Sequence, residues 1–171
     1  MALFVIYGTM NSGKTHTCWL IYNLLKTAGT EIDFDPKSLA TKPKYSEVLQ
    51  HIENSSKTGT QMLYPDFRAL FEYRGKKIAI FSAGDFLSHR KWKVCSFKDN
   101  MLWAEKNKVD HVICCARSYN KKGSVHQYIL THYRMQIYRW YEKRWSNVLN
   151  ERLADAQRIA VSVFTDIKKD F

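Results

Sequence analysis

The chain has 171 residues, 45% hydrophobic and 25% charged, a length and balance that fit about one ordinary globular domain. No apolar run approaches the roughly 20 residues of a membrane span, and Met1 to Ile6 runs straight into a core strand without the basic start or cleavage site of a secretory signal, so a cytoplasmic location is expected. The net charge of +11 is uneven, with 10 Lys and Arg against 8 Asp and Glu in residues 1–85 but 17 against 8 in residues 86–171, and it favours a polyanionic partner or an anionic ligand.

Leu3 to Tyr7 is a continuous apolar run ending at Gly8, the pattern of a strand buried on both faces. Residues 14–28 follow with Cys18, Ile21, Leu24 and Leu25 on one helical face, and Gly29 is a natural stop. Glu31 to Pro36 predicts a brief extended segment, and residues 45–54 a short helix. Phe67, Ala69, Phe71 and Tyr73 alternate, although Phe67, Leu70 and Phe71 also suit a helix. Alternation over the whole length favours an antiparallel hairpin across residues 67–82, turning at Arg74-Gly75-Lys76 into the strand Ile78 to Phe81. Ser96 and Asp99 have capping-box spacing ahead of a helix reaching about residue 107. His111 to Ala116 reads as a strand, residues 124–133 as a helix, and Met135 to Tyr141 as a strand. Leu149, Leu153, Ala156, Ala160, Val163 and Ile167 recur every three or four residues, one apolar stripe on a long final helix.

Cys114 and Cys115 are neighbours on one strand, so their side chains face opposite ways. No cysteine or histidine cluster has zinc spacing, and four buried free thiols are expected. Strands alternating with helices predict a three-layer α/β/α domain spanning residues 1–171, built on a mostly parallel sheet of about five strands. Ligands of such sheets sit beyond the carboxyl ends of the strands.

The segment Gly8-Thr9-Met10-Asn11-Ser12-Gly13-Lys14-Thr15 fits G-x-x-x-x-G-K-[ST] at every fixed position. A triphosphate needs many donors converging on crowded oxygens. Gly8 lets the chain turn and Gly13 lets the backbone approach closely, so that successive N–H groups form an anion nest. The helix opening near Lys14 adds the positive end of its dipole. Lys14 supplies charge to the β- and γ-phosphates, Thr15 places a hydroxyl for Mg²⁺, and His16 closes the binding segment. The motif follows a strand and opens a helix, which is its required context. On these residues the chain resembles the P-loop NTPase superfamily through the Walker A motif. The resemblance implies the fold of that superfamily and ATP with Mg²⁺ as ligands, with GTP the lesser alternative.

Such a site also needs a carboxylate near the metal or the attacking oxygen. Ser82 stands at the end of the strand Ile78 to Phe81, where Walker B has Asp, and Asp85 follows three residues on; the turn resembles the one after strand three of GTPases without its leading Asp. Asp85 is therefore a candidate metal ligand beside Thr15, and a candidate catalytic carboxylate. Asp33 and Asp35 form a second pair, 19 and 21 residues after Lys14. There, and at Phe67-Arg68 and Gly84, the chain also resembles the small shikimate-type kinases, with one glycine where that family has three. That resemblance implies catalytic roles for Asp33 and Asp35 at the metal and the acceptor hydroxyl. Arg117 ends a strand and is placed to stabilise transferred charge.

Asn107-Lys108-Val109-Asp110 spells the guanine signature N-K-x-D, but it precedes a strand instead of following one, which favours ATP over GTP. Residues 117–144 carry seven Lys and Arg against Glu142, with Tyr128, Tyr133, Tyr138, Trp140 and Tyr141 interleaved. That mixture suits a nucleic acid or an acidic protein partner. Three activities follow as expectations: an ATPase coupled to a partner or nucleic acid, a small-molecule or nucleotide kinase, and a nucleotide-binding regulatory subunit with little turnover.

Overall fold

In a computed structural model, residues 1–10, 12–36, 66–89, 93–119 and 121–170 are described; the predicted helix over 45–54 and Asn11 of the glycine loop lie outside them. The N-terminal apolar run forms strand β1 (Ala2–Gly8), with Leu3 to Ile6 wholly buried. It pairs in parallel on both edges, with β5 (His111–Arg117) and β6 (Ile137–Glu142), and its two faces are buried in two separate cores. The other strands are β2 (Thr30–Pro36), β3 (Phe67–Tyr73) and β4 (Lys76–Phe81).

One mixed, mostly parallel sheet of six strands results, one strand more than expected, in the order β2-β3-β4-β5-β1-β6. The sixth is β2, the brief extended segment, which pairs along the length of β3. The predicted hairpin is present as β3 and β4, joined through Arg74 and Gly75, both with positive φ. β3 is the one strand here running against its neighbours, so it starts at the sheet rim where β1, β4 and β5 end.

Helices cover both faces. On one lie α1 (Lys14–Ala28) and α4 (Leu149–Lys169), packed against each other over Phe4, Ile6, Phe67, Phe71 and Cys115. The predicted stripe of α4 buries Ala156, Ala160, Val163 and Ile167, while Leu149 and Leu153 stay half-buried. Trp19 anchors this layer, wholly buried with its ring 4.3 Å from that of Phe67. On the opposite face α2 (Phe97–Lys106) and α3 (Val125–His132) cover Leu3, Val5, Phe81 and Cys114. Ser96 caps α2 by accepting from the Asp99 amide, as its spacing predicts.

The four cysteines are free and buried, with Cys114 and Cys115 on opposite faces. Cys115 Sγ lies 3.4 Å from Cys18 Sγ beneath the start of α1, and that hydrogen bond together with burial pushes the Cys18 thiol pKa well up. No helix among the described residues is long and apolar enough to cross a membrane.

Candidate functional site

The glycine loop joins β1 to α1 at the rim where the parallel strands end. A Cβ on Gly8 would stand 2.4 Å from the Lys143 carbonyl oxygen, closer than any side chain is tolerated. Gly13 has φ 91°, the left-handed conformation glycine adopts without penalty, and it leads directly into α1. The first turn is anchored by Thr17, whose amide and hydroxyl both donate to Gly13 O, at 3.0 and 3.1 Å. Across the loop, the Ser12 amide donates to Thr9 O at 3.3 Å.

Lys14 is nearly buried, and its ammonium folds back onto the loop, donating to Gly8 O at 3.1 Å and Thr9 O at 2.7 Å. Burial lowers its pKa from the ordinary lysine value, against the opposing pull of Cys115 and Asp85. Ser12 Oγ is buried and has no hydrogen-bond partner among the described residues. Met10 stands exposed at the loop tip. His16 is buried one residue beyond Thr15; desolvation first, and the nearby Lys143 charge second, bring its pKa down to about 4.

Lys143 is the wall behind the loop. It follows β6, its amide donates to Tyr7 O at 2.7 Å, and its side chain is wholly buried beside Gly13. Its ammonium reaches Asp155 of α4 at 3.2 Å, which also accepts from Arg158 and the Arg144 amide.

Thr15 donates from Oγ1 to Oδ1 of Asp66 at 3.0 Å. Asp66 was not among the carboxylates the sequence singled out. Ser82, at the end of β4, donates to the same oxygen at 3.2 Å and accepts from the Phe67 amide at 2.8 Å. The strand-end serine therefore holds the first residues of β3 against the rim, and Asp66 stands where a strand-end aspartate would otherwise reach. Antiparallel β3 makes this possible: its start, not its end, lies at the rim.

Asp85 bonds to Arg117, with Arg117 Nε donating to Oδ1 at 2.8 Å. The carboxylate at Thr15 is thus Asp66 and not Asp85. The β1–β5 register sets Arg117 directly beside Gly8, and the Ser118 amide donates to Gly8 O at 3.1 Å. Arg117 also donates to the Tyr119 hydroxyl at 2.9 Å, and its carbonyl lies 2.9 Å from His126 Nδ1. The Asp85 hydrogen bond raises the Arg117 pKa further, so the guanidinium stays charged.

Asp33 and Asp35 are carried by the edge strand β2, four strands from β1 and about 19 Å across the sheet. Asp35 is paired at 3.0 Å with Arg68 of β3, two residues on from Asp66. Asn107 to Asp110 lie at the opposite rim, where Asp110 accepts from the Lys77 amide and its carbonyl from the Ala2 amide. Of the seven cations in residues 117–144, Arg117, Arg139, Lys143 and Arg144 face carboxylates at 4 Å or less. Lys121, Lys122 and Arg134 have no carboxylate partner among the described residues. Trp140 of β6 is packed on the His126 ring of α3 at 4.6 Å instead of forming an open stacking platform.

No protein-family model, curated protein or solved structure matches the chain.

Proposed function

We propose that the chain binds ATP with Mg²⁺ on residues 8–16 and cleaves its β–γ bond, as a P-loop NTPase. The observation that carries this reading is the Lys14 ammonium, nearly buried in a glycine-walled loop where, among the described residues, backbone carbonyls are its only hydrogen-bond acceptors. A buried cation without a carboxylate partner is costly unless an anion completes its surroundings. The orphaned Ser12 hydroxyl, the left-handed Gly13 and the N-terminus of α1 supply further groups that an anion would satisfy.

The residues also fit a magnesium ion, which takes few protein ligands and keeps several waters. Thr15 and Asp66 would hold it, and the metal would neutralise charge on the phosphate oxygens. Lys14 offers a positive charge that two loop carbonyls hold. Arg117 offers a second beside Gly8, restrained by Asp85, Tyr119 and the register of β5. Asp33 and Asp35 have no part in this reading, which gives the metal carboxylate to Asp66 on its hydrogen bond to Thr15. ATP is preferred to GTP because the N-K-x-D segment lies at the far rim.

The test is incubation with ATP labelled at the γ-phosphate, with and without Mg²⁺. Mg²⁺-dependent release of label from ATP is expected, and Lys14→Ala should abolish both binding and release. Intact affinity and turnover in that variant would contradict the assignment.

A further inference from the structure

A cavity of about 150 Å³ opens at the carboxyl ends of β4 and β5, beside the glycine loop. Asp85, Arg117, Tyr119, Lys121, Lys122 and Ser124 line it. Three cations therefore face one carboxylate, and neither lysine has another acidic partner among the described residues. Gly123 (φ 81°) turns the chain so that Ser124 can cap α3 through the Gln127 amide at 3.1 Å, which brings the start of that helix into the wall. The volume is well under the roughly 300 Å³ of a drug-sized pocket, so it suits a small metabolite or its charged end and not a polymer strand.

We propose that this cavity binds the anionic group of a second substrate, a small hydroxyl-bearing phosphate or carboxylate, which then accepts the γ-phosphoryl group of ATP. The proposal rests on the ATP reading above and names where the phosphoryl group goes. Lys121 and Lys122 hold the oxyanion by charge. Asp85 and Arg117 line the same cavity, Arg117 stands beside Gly8, and both are near enough to Lys14 to influence its charge. The acceptor hydroxyl oxygen forms a bond to the γ-phosphorus while the bond to the β–γ bridging oxygen breaks. ADP leaves with that electron pair, and the hydroxyl proton passes to the Asp85 carboxylate. The other candidate recipient, a nucleic acid, finds less here: Arg139 and Lys143 are already paired with Asp166 and Asp155, and Trp140 is packed against His126.

The full chain is saturated with Mg²⁺ and a non-hydrolysable ATP analogue and dialysed against labelled inorganic phosphate. One phosphate per chain is expected. The double variant Lys121→Ala, Lys122→Ala should weaken phosphate binding at least tenfold and leave analogue affinity unchanged. No retained phosphate, or equal retention by the variant, overturns the proposal. The same titration on the parent chain without nucleotide scores the cavity independently: if the parent chain fails to bind the analogue but phosphate is still held through the two lysines, the ATP reading falls and the anion site stands. Transfer is scored with γ-labelled ATP and two panels, hydroxylated phosphates and hydroxylated carboxylates, whose labelled products distinguish the two sources of the oxyanion. Label passing only to water, or release stimulated by nucleic acid alone, overturns the acceptor assignment.

Discussion

Thr15, in the first turn of α1, donates a 3.0 Å hydrogen bond to Asp66, the residue immediately before β3. The two are 51 positions apart in sequence, and Ser82 shares the same carboxylate oxygen. Asp66→Asn keeps an oxygen able to accept both hydroxyls but deletes the charge. Nucleotide binding without metal should survive, while the Mg²⁺ concentration for half-maximal ATP turnover rises about 10- to 100-fold, the usual effect of removing a group that holds a metal or its ligands. A magnesium titration of turnover measures it, and an unchanged midpoint would exclude Asp66 from the metal site.

Acid should destabilise the fold through His16. Its folded pKa is about 4 against 6.5 when unfolded, so between those values the unfolded chain binds the extra proton and the native state does not. Stability attributable to this residue is complete above pH 6.5 and is lost progressively as pH falls, until about pH 4. The full gap corresponds to about 3 kcal/mol. Urea unfolding followed from pH 7 to 4 should therefore show a shallower decline in His16→Gln than in the parent chain.

Lys143 and Asp155 should respond asymmetrically to substitution. Asp155→Ala strands a wholly buried ammonium behind the glycine loop, at about 3 kcal/mol or more. Lys143→Met removes the buried charge and keeps the packing, while Asp155 retains Arg158 and the Arg144 amide. The methionine variant should lose clearly less stability. Denaturant midpoints of the two variants decide it, and equal losses would show that the pair is not held as described.

Gly84→Ala should loosen the turn that carries Asp85. The new methyl would lie 2.6 to 2.8 Å from Cys115 backbone and Cβ atoms, none of which is a flexible side-chain end. About 1–3 kcal/mol of stability should be lost. Because Arg117 follows Cys115 by two residues, the Asp85–Arg117 bond should weaken with it, read as a fall in phosphate retention in the dialysis experiment. Unchanged thermal stability would show that the turn accommodates the methyl.

Much of the scaffold was legible from the chain alone, for physical reasons that can be named. β1 and β5 are uninterrupted apolar runs, the mark of strands covered on both sides, and α4 carries a stripe of constant helical phase. The hairpin was readable because alternation persisted up to a glycine turn. The glycine loop between β1 and α1 and the place of Arg117 were readable because each directly follows one of those strands. Asp66 was not, because pairing between strands is a long-range property. Its place depends on β3 running backwards beside β4, and nothing local to residue 66 reports that direction. The serine at 82 was the available signal: a strand-end hydroxyl implies that another element brings the charge. Asp33 and Asp35 drew notice by their spacing from Lys14, but strand order, which spacing does not encode, carries them to the far edge. Lys143 was counted only as one of seven basic residues, since its ion pair with Asp155 depends on α4 folding back toward the end of β6.

The serine at position 82 also limits what substitution can accomplish there. Ser82→Asp would set a second carboxylate within hydrogen-bonding distance of Asp66, at a buried position. Two such groups do not both ionise; one keeps its proton. The more familiar residue would thus arrive as a neutral acid, and the rim would be no richer in negative charge than before. Positions 66 and 82 behave as a single seat for one anion, which either strand can fill but both cannot.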